Sequence, residues 1–217
     1  MTAERQTRST KPTKPASVDD DLDASVPGLA VKVGDPISSI GLRASDGYLL
    51  NLRSFVSKQP VAFLFFAAPT GSGAQARRGT RVAESLAGGA RRLAAAGVAV
   101  VGVTCDSERQ QTDWIAEQHW PYLLFSDERR SAVDRLGIPL TVNDGNYNVA
   151  RPVLLIVGQA GLLDAVISDP EPEYVVDIVL AAVRRAEGRD PDLADAPPNA
   201  PPASTAQETA EPTVASS

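Results

Sequence analysis

The chain has 217 residues, a net charge of −6 and a pI near 4.9. That acidity argues against a nucleic-acid binder, which needs clustered Lys and Arg. A single cysteine, Cys105, excludes an intramolecular disulfide framework and a Cys-rich metal site. No apolar run reaches the length of a membrane span, and Met1 to Asp23 carries no apolar signal core. No membrane insertion and a reducing, cytoplasmic location are therefore expected.

Residues 1–32 read as a disordered N-terminal tail. Arg5, Arg8, Lys11 and Lys14 precede the run Asp19-Asp20-Asp21, and there is too little apolar surface to offset ordering entropy. Residues 189–217, rich in Pro and Ala, have no hydrophobic period and read as a second disordered tail. Between them, 33–188 suits one domain, large enough to bury roughly two-thirds of its unfolded surface.

Within that domain, Ile37 to Arg43 and Tyr48 to Leu52 flank Ala44-Ser45-Asp46-Gly47, a hairpin signal, and Leu52 to Val56 suits one helical turn. The apolar run Val61–Phe66 reads as the central strand. It stops at Pro69 and opens into the small-residue loop Thr70-Gly71-Ser72-Gly73. Ala74 to Ala96 follows as a helix, with Val82, Leu86 and Leu93 on its apolar face and a kink expected at Gly88-Gly89. Val98 to Thr104 is rich in Val and reads as a buried parallel strand.

Ser107 and Gln110 are spaced for a capping box on the next helix, whose buried face is assigned to Trp114 and Ile115. Tyr122 to Phe125 forms a short strand, and Ser131 to Leu136 a short helix ended by Gly137. Leu140 to Ala150 reads as a polar loop, and Val153–Val157 with Leu162–Ile167 as a strand pair. The last helix is expected to be capped by Asp169, with Pro170 at its first position and an apolar stripe of Val175, Ile178, Val179, Ala182 and Val183. This order gives an α/β fold with a mixed central sheet flanked by helices.

Three stretches carry a more specific likeness. They are Gly97-Val98-Ala99-Val100-Val101-Gly102-Val103-Thr104-Cys105-Asp106-Ser107, then Trp114 with Pro121-Tyr122 and Ser126-Asp127, then Arg151-Pro152-Val153-Leu154-Leu155-Ile156 before Gly161. Together they resemble the peroxiredoxins of the alkyl hydroperoxide reductase/thiol-specific antioxidant superfamily, over about Val33 to Ala186. The resemblance implies a thioredoxin-like fold with an N-terminal β-hairpin of peroxiredoxin type, and an antioxidant thiol peroxidase ancestry without a cofactor. It also implies that Arg151 is the family's pocket arginine and that the Arg151–Pro152 peptide is cis.

The departure lies at the centre of the motif. The family pattern Pro-x-x-x-Thr-x-x-Cys puts Gly73 where the peroxidatic cysteine belongs, and a thioredoxin-like frame puts Thr70 and Gly73 at both cysteine positions. A peroxide-reducing thiolate attacks the O–O bond and becomes a sulfenic acid, which neither Thr nor Gly can do. What remains resembles an anion or small-ligand pocket formed by Thr70, Gly71, Gly73, Arg151 and Pro152.

The leading expectation is a redox-inactive peroxiredoxin-like module for interaction, assembly or sensing, with an unidentified protein partner or a homodimer. The alternative is a thiol-dependent peroxidase or oxidoreductase working through Cys105, which lies past the carboxyl end of its strand, where parallel sheets place ligands. For that role the Cys105 pKa must fall below its ordinary value of about 8.5, whereas a structural cysteine is simply a buried small hydrophobe. His119 has no second His or Cys at ligand spacing, so no metal site is expected. Gly71-Ser72-Gly73-Ala74 lacks the Lys-Ser/Thr of a nucleotide loop.

Overall fold

A computed structural model describes residues 27–67, 73–143 and 146–188. Gly41–Ala44 (β1) and Leu49–Asn51 (β2) form the N-terminal hairpin, followed by the helical turn Leu52–Val56 (α1) and the strand Val61–Phe65 (β3). Every residue of β3 is buried, because the sheet is covered on both faces. Phe63 and Phe65 point into one core cluster, while Ala62, Leu64 and Phe66 point into the other. This explains a continuous apolar run where a half-exposed strand would alternate with polar residues.

After β3 come the helices Ala74–Gly88 (α2) and Ala90–Ala95 (α3), the strand Ala99–Thr104 (β4) and the helix Glu108–Gln118 (α4). Next are Leu123–Ser126 (β5), Ser131–Leu136 (α5), Leu140–Asn143 (β6), Asn146–Val149 (β7), Val153–Val157 (β8), Leu163–Ser168 (β9) and Val175–Ala186 (α6). Seven strands form one sheet in the order β2-β1-β5-β4-β3-β8-β9. β3, β4 and β5 run parallel, whereas β8 pairs antiparallel with both β3 and β9. The carboxyl ends of β3, β4 and β5 therefore share one edge with the start of β8. α6 and α2 contribute to the core on the Leu64 face, and α1 and α5 to the core on the Phe63 face.

The break between α2 and α3 falls at Gly89, where a Cβ would stand 2.4 Å from a Val176 methyl, so the glycine admits α6. The capping box is present, with Gln110 N–H donating to Ser107 Oγ and Ser107 N–H donating to Gln110 Oε1. Gly137 ends α5 in the left-handed region. Contacts with the body begin ahead of Val33: Ala30 N–H donates to the Leu136 carbonyl, and Leu29 and Val31 pack on the core.

Four expectations require correction. The last helix starts at Val175, not beside Asp169. Asp169 is left-handed, at φ 49°, and Arg78 binds its carboxylate and the Asp169 and Pro170 carbonyls, which fixes a turn there. Within the stretch expected as a polar loop, β6 and β7 pair antiparallel, with Val142 opposite Tyr147. Their β-branched and aromatic residues favour strand over loop.

Trp114 and Ile115 are only partly buried at the rim of the core, and the fully buried residue of α4 is Gln111. The polar Gln111 amide is tolerated there because Nε2 donates to the Phe125 carbonyl at 2.8 Å and to Thr104 Oγ1 at 3.0 Å. Finally, no described peptide bond is cis, so Arg151–Pro152 is trans. Trans is the lower-energy form even before proline, and here Pro152 leads directly into the extended β8, its carbonyl accepting from Asp169 N–H at 2.7 Å.

Candidate functional site

The edge formed by the ends of β3, β4 and β5 gathers most of the chemistry-bearing residues. Cys105 leaves the end of β4, Asp106 follows it, and Asp127 follows β5. Thr104, Asp106, Gln111 and Asp127 are the buried polar residues among those described. All four lie at or beneath this edge. Ser126 Oγ donates to the Asp106 carbonyl at 2.7 Å, which ties the end of β5 to the residue after the cysteine.

Asp127 is 1% exposed. Its carboxylate accepts from Ser131 Oγ, from Ala132 N–H and, at 2.8 Å, from Val133 N–H. It therefore satisfies the start of α5 although Arg130, in the left-handed region at φ 59°, holds the formal capping position. Burial raises the Asp127 carboxyl above the usual range, and its N–H donors and Ser131 oppose that rise. The Arg130 guanidinium lies 4.0 Å from the centre of the Tyr147 ring on β7.

Cys105 is half-buried and packs at the edge of the core that holds Phe63 and Phe125. Its thiol is pushed up to about 12, first by burial and then by the charges of Asp127 and Asp106. Arg130 acts in the opposite direction and is outweighed. The thiol is thus held protonated at neutral pH, and the thiolate is the form that reacts. Arg151 does not supply the cation. It is exposed just before β8, and β3 lies between β4 and β8, so the two backbones are roughly 10 Å apart by strand spacing.

Of the proposed pocket residues, Thr70 and Gly71 lie outside the described residues. Gly73 is the residue before α2, at φ 109°, a backbone conformation that favours glycine, and a Cβ there would meet nothing within 4 Å. Arg151 makes no hydrogen bond or ion pair among the described residues. Pro152 is buried at the start of β8. Arg151, Pro152 and Cys105 thus share one sheet edge without direct contact between the guanidinium and the thiol.

His119 ends α4 in the left-handed region, exposed, and no group of His, Cys, Asp or Glu suited to a metal occurs among the described residues. No described helix is long and apolar enough to cross a membrane. Sequence reasoning missed Arg130 and Tyr147 and used Asp127 only as part of the Ser126-Asp127 likeness. The signal for Asp127 was available, since it precedes the short helix by one turn.

Residues 33–166 match the AhpC/TSA family. Among solved structures, the chain is similar to peroxidoxin BcpB from Mycobacterium tuberculosis, with 21% identity and a TM-score of 0.62, covering 71% of this chain and 97% of that one. It is also similar to PrxQ from Xylella fastidiosa, solved as a cysteine-to-serine mutant, with 13% identity and a TM-score of 0.62 over 74% and 99%. A thiol peroxidase from Chromobacterium violaceum matches at 17% identity and a TM-score of 0.57 over 72% and 88%. No curated protein matches. At these identities the structures establish a shared fold, and with the match over 33–166 the chain belongs to the AhpC/TSA family.

Proposed function

We propose that this protein is a peroxiredoxin-like module without peroxidase turnover, retained for interaction, assembly or sensing. One observation carries the reading: Gly73 stands where the family motif places its cysteine, and the chain's single thiol, Cys105, is half-buried at the end of β4, where burial and the charges of Asp127 and Asp106 oppose a thiolate. Peroxide reduction requires a thiolate to attack the O–O bond, giving a sulfenic acid and releasing an alcohol or water after proton uptake. A thiol raised this far presents almost no thiolate at neutral pH.

The Cys105 peroxidase reading needs a cation strong enough to lower that pKa, and Arg130 does not outweigh burial and the carboxylates. Arg151, exposed and without a carboxylate partner among the described residues, supports a sensing role toward a small anion or peroxide at the same edge. The family's cytoplasmic, thiol-based setting fits a chain with one free cysteine. The test is hydrogen peroxide consumption with excess dithiothreitol, comparing the parent with Cys105→Ser. Equal background rates support the proposal, and parent turnover lost in the variant overturns it.

A further inference from the structure

The two edges of the seven-stranded sheet are treated differently. At β9, residues 34–37 cover the beginning of the strand: Gly34 N–H donates to the Leu163 carbonyl, Leu163 N–H to the Asp35 carbonyl and Ile37 N–H to the Gly161 carbonyl. At the other edge, β2 has only β1 as a neighbour among the described residues. β2 and the residue before it carry the two most exposed large apolar side chains among the described residues, Tyr48 at 69% and Leu49 at 68%. Sheet edges are usually blunted with charge or proline. β2 itself, Leu49-Leu50-Asn51, has neither, and only its three-residue length limits pairing there.

The hairpin register fixes which backbone groups face outward. Ala44 N–H donates to the Tyr48 carbonyl and Leu52 N–H to the Ile40 carbonyl, so the even-numbered residues turn their backbone groups inward. The N–H and carbonyl of Leu49 and the N–H of Asn51 then point away from β1.

We infer that β2 is a self-association edge, at which two copies of this chain pair antiparallel about a two-fold axis through Leu50. In that register Leu49 of one copy lies opposite Asn51 of the other, and the Asn51 N–H donates to the Leu49 carbonyl, twice by symmetry. No other centre brings the outward groups of Leu49 and Asn51 onto each other. Tyr48 falls beside the α1 turn of the second copy.

Charge favours a second copy over an unrelated partner. The same register brings the Asp46 turn of one hairpin toward Arg53 at the far end of the other, again twice. Both side chains are exposed, and neither makes an ion pair among the described residues. Asp46 Oδ1 accepts from Tyr48 N–H, which orients the carboxylate at the tip. A three-residue strand buries less than the ~1,000 Å² of a stable interface, so the dimer is weak and concentration-dependent. This goes beyond the proposed absence of turnover and does not depend on the thiol.

The experiment is sedimentation equilibrium of the full chain from about 10 µM to about 1 mM, with thermal melts to check that each variant is folded. The parent is expected to shift toward twice the monomer mass. Leu49→Lys, which places a charge on the open edge, should weaken association about tenfold or more. Arg53→Glu should weaken it, and the double variant Asp46→Lys/Arg53→Glu should recover it, because the exchanged pair is attractive again. A parent that stays monomeric to about 1 mM overturns the inference, as does association indifferent to folded Leu49→Lys or unrecovered in the folded double variant.

Discussion

Asp127, at the end of the neighbouring strand, adds its charge to the burial that raises the Cys105 thiol. After burial, its charge is the largest influence raising the thiol, and it is itself fixed by Ser131 and by the backbone at the start of α5. The start of the short helix therefore holds a carboxylate whose charge opposes a thiolate at Cys105.

The thiol should accordingly be slow to react. Iodoacetamide labelling of the folded protein at about pH 8 should be roughly thirty- to a hundredfold slower than labelling of the urea-unfolded chain, allowing for the greater intrinsic nucleophilicity of a high-pKa thiol. Timed mass spectrometry reads both rates. Comparable rates would show that the folded thiol ionises freely.

Replacing Asp127 with Asn keeps an oxygen facing α5 but removes the charge. Asp127→Asn should accelerate Cys105 labelling several-fold while the fold persists. Asp127→Ala should lose about 0.5–2 kcal/mol of stability as the helix start loses its acceptor. If Asp127→Asn leaves labelling unchanged, burial alone governs the thiol.

Linkage gives the thiol a signature in stability. The folded pKa is raised to about 12, above the unfolded value, so the folded chain binds more protons than the unfolded chain once pH passes about 8.5–9. The stabilisation is complete below that range and is lost as pH rises toward the folded value. Between about pH 8 and 10.5 the parent should lose about 1–2 kcal/mol that Cys105→Ala does not lose. Denaturant melts of both proteins across that range measure the difference, and parallel pH curves would contradict it.

Arg78 joins α2 to the turn before α6. Its Nε donates to Asp169 Oδ1 at 2.8 Å, and the guanidinium also reaches Glu171 and two carbonyls. Arg78→Ala should cost about 1.5–3 kcal/mol, and Arg78→Lys should recover little because an ammonium cannot reproduce the planar fork. Full recovery by lysine in urea melts would show that charge alone suffices.

Much of the fold was legible from the sequence because its elements are locally specified. Val61–Phe65 and Val153–Val157 are apolar at every position, as strands covered on both faces must be. Ser107 and Gln110 stand at capping-box spacing, and Gly137 marks the end of α5. The missing parts depend on contacts distant in sequence. Arg78 meets Asp169 across 91 positions, and that contact holds the turn where a helix start was expected. The polarity of Asn143 and Asn146 obscured the Val142–Tyr147 pairing. At the site, Gly73 was legible as a missing nucleophile, and Asp106 adjoins Cys105 in sequence, but Asp127, Arg130 and Asp134 come from α5 and its preceding turn, which only the folded chain brings near the thiol.

Peroxide turnover is the most direct measurement of the central claim. With hydrogen peroxide, excess dithiothreitol and micromolar protein at neutral pH, the parent and Cys105→Ser are predicted to match the protein-free rate. A catalytic rate in the parent that disappears in Cys105→Ser would contradict the account.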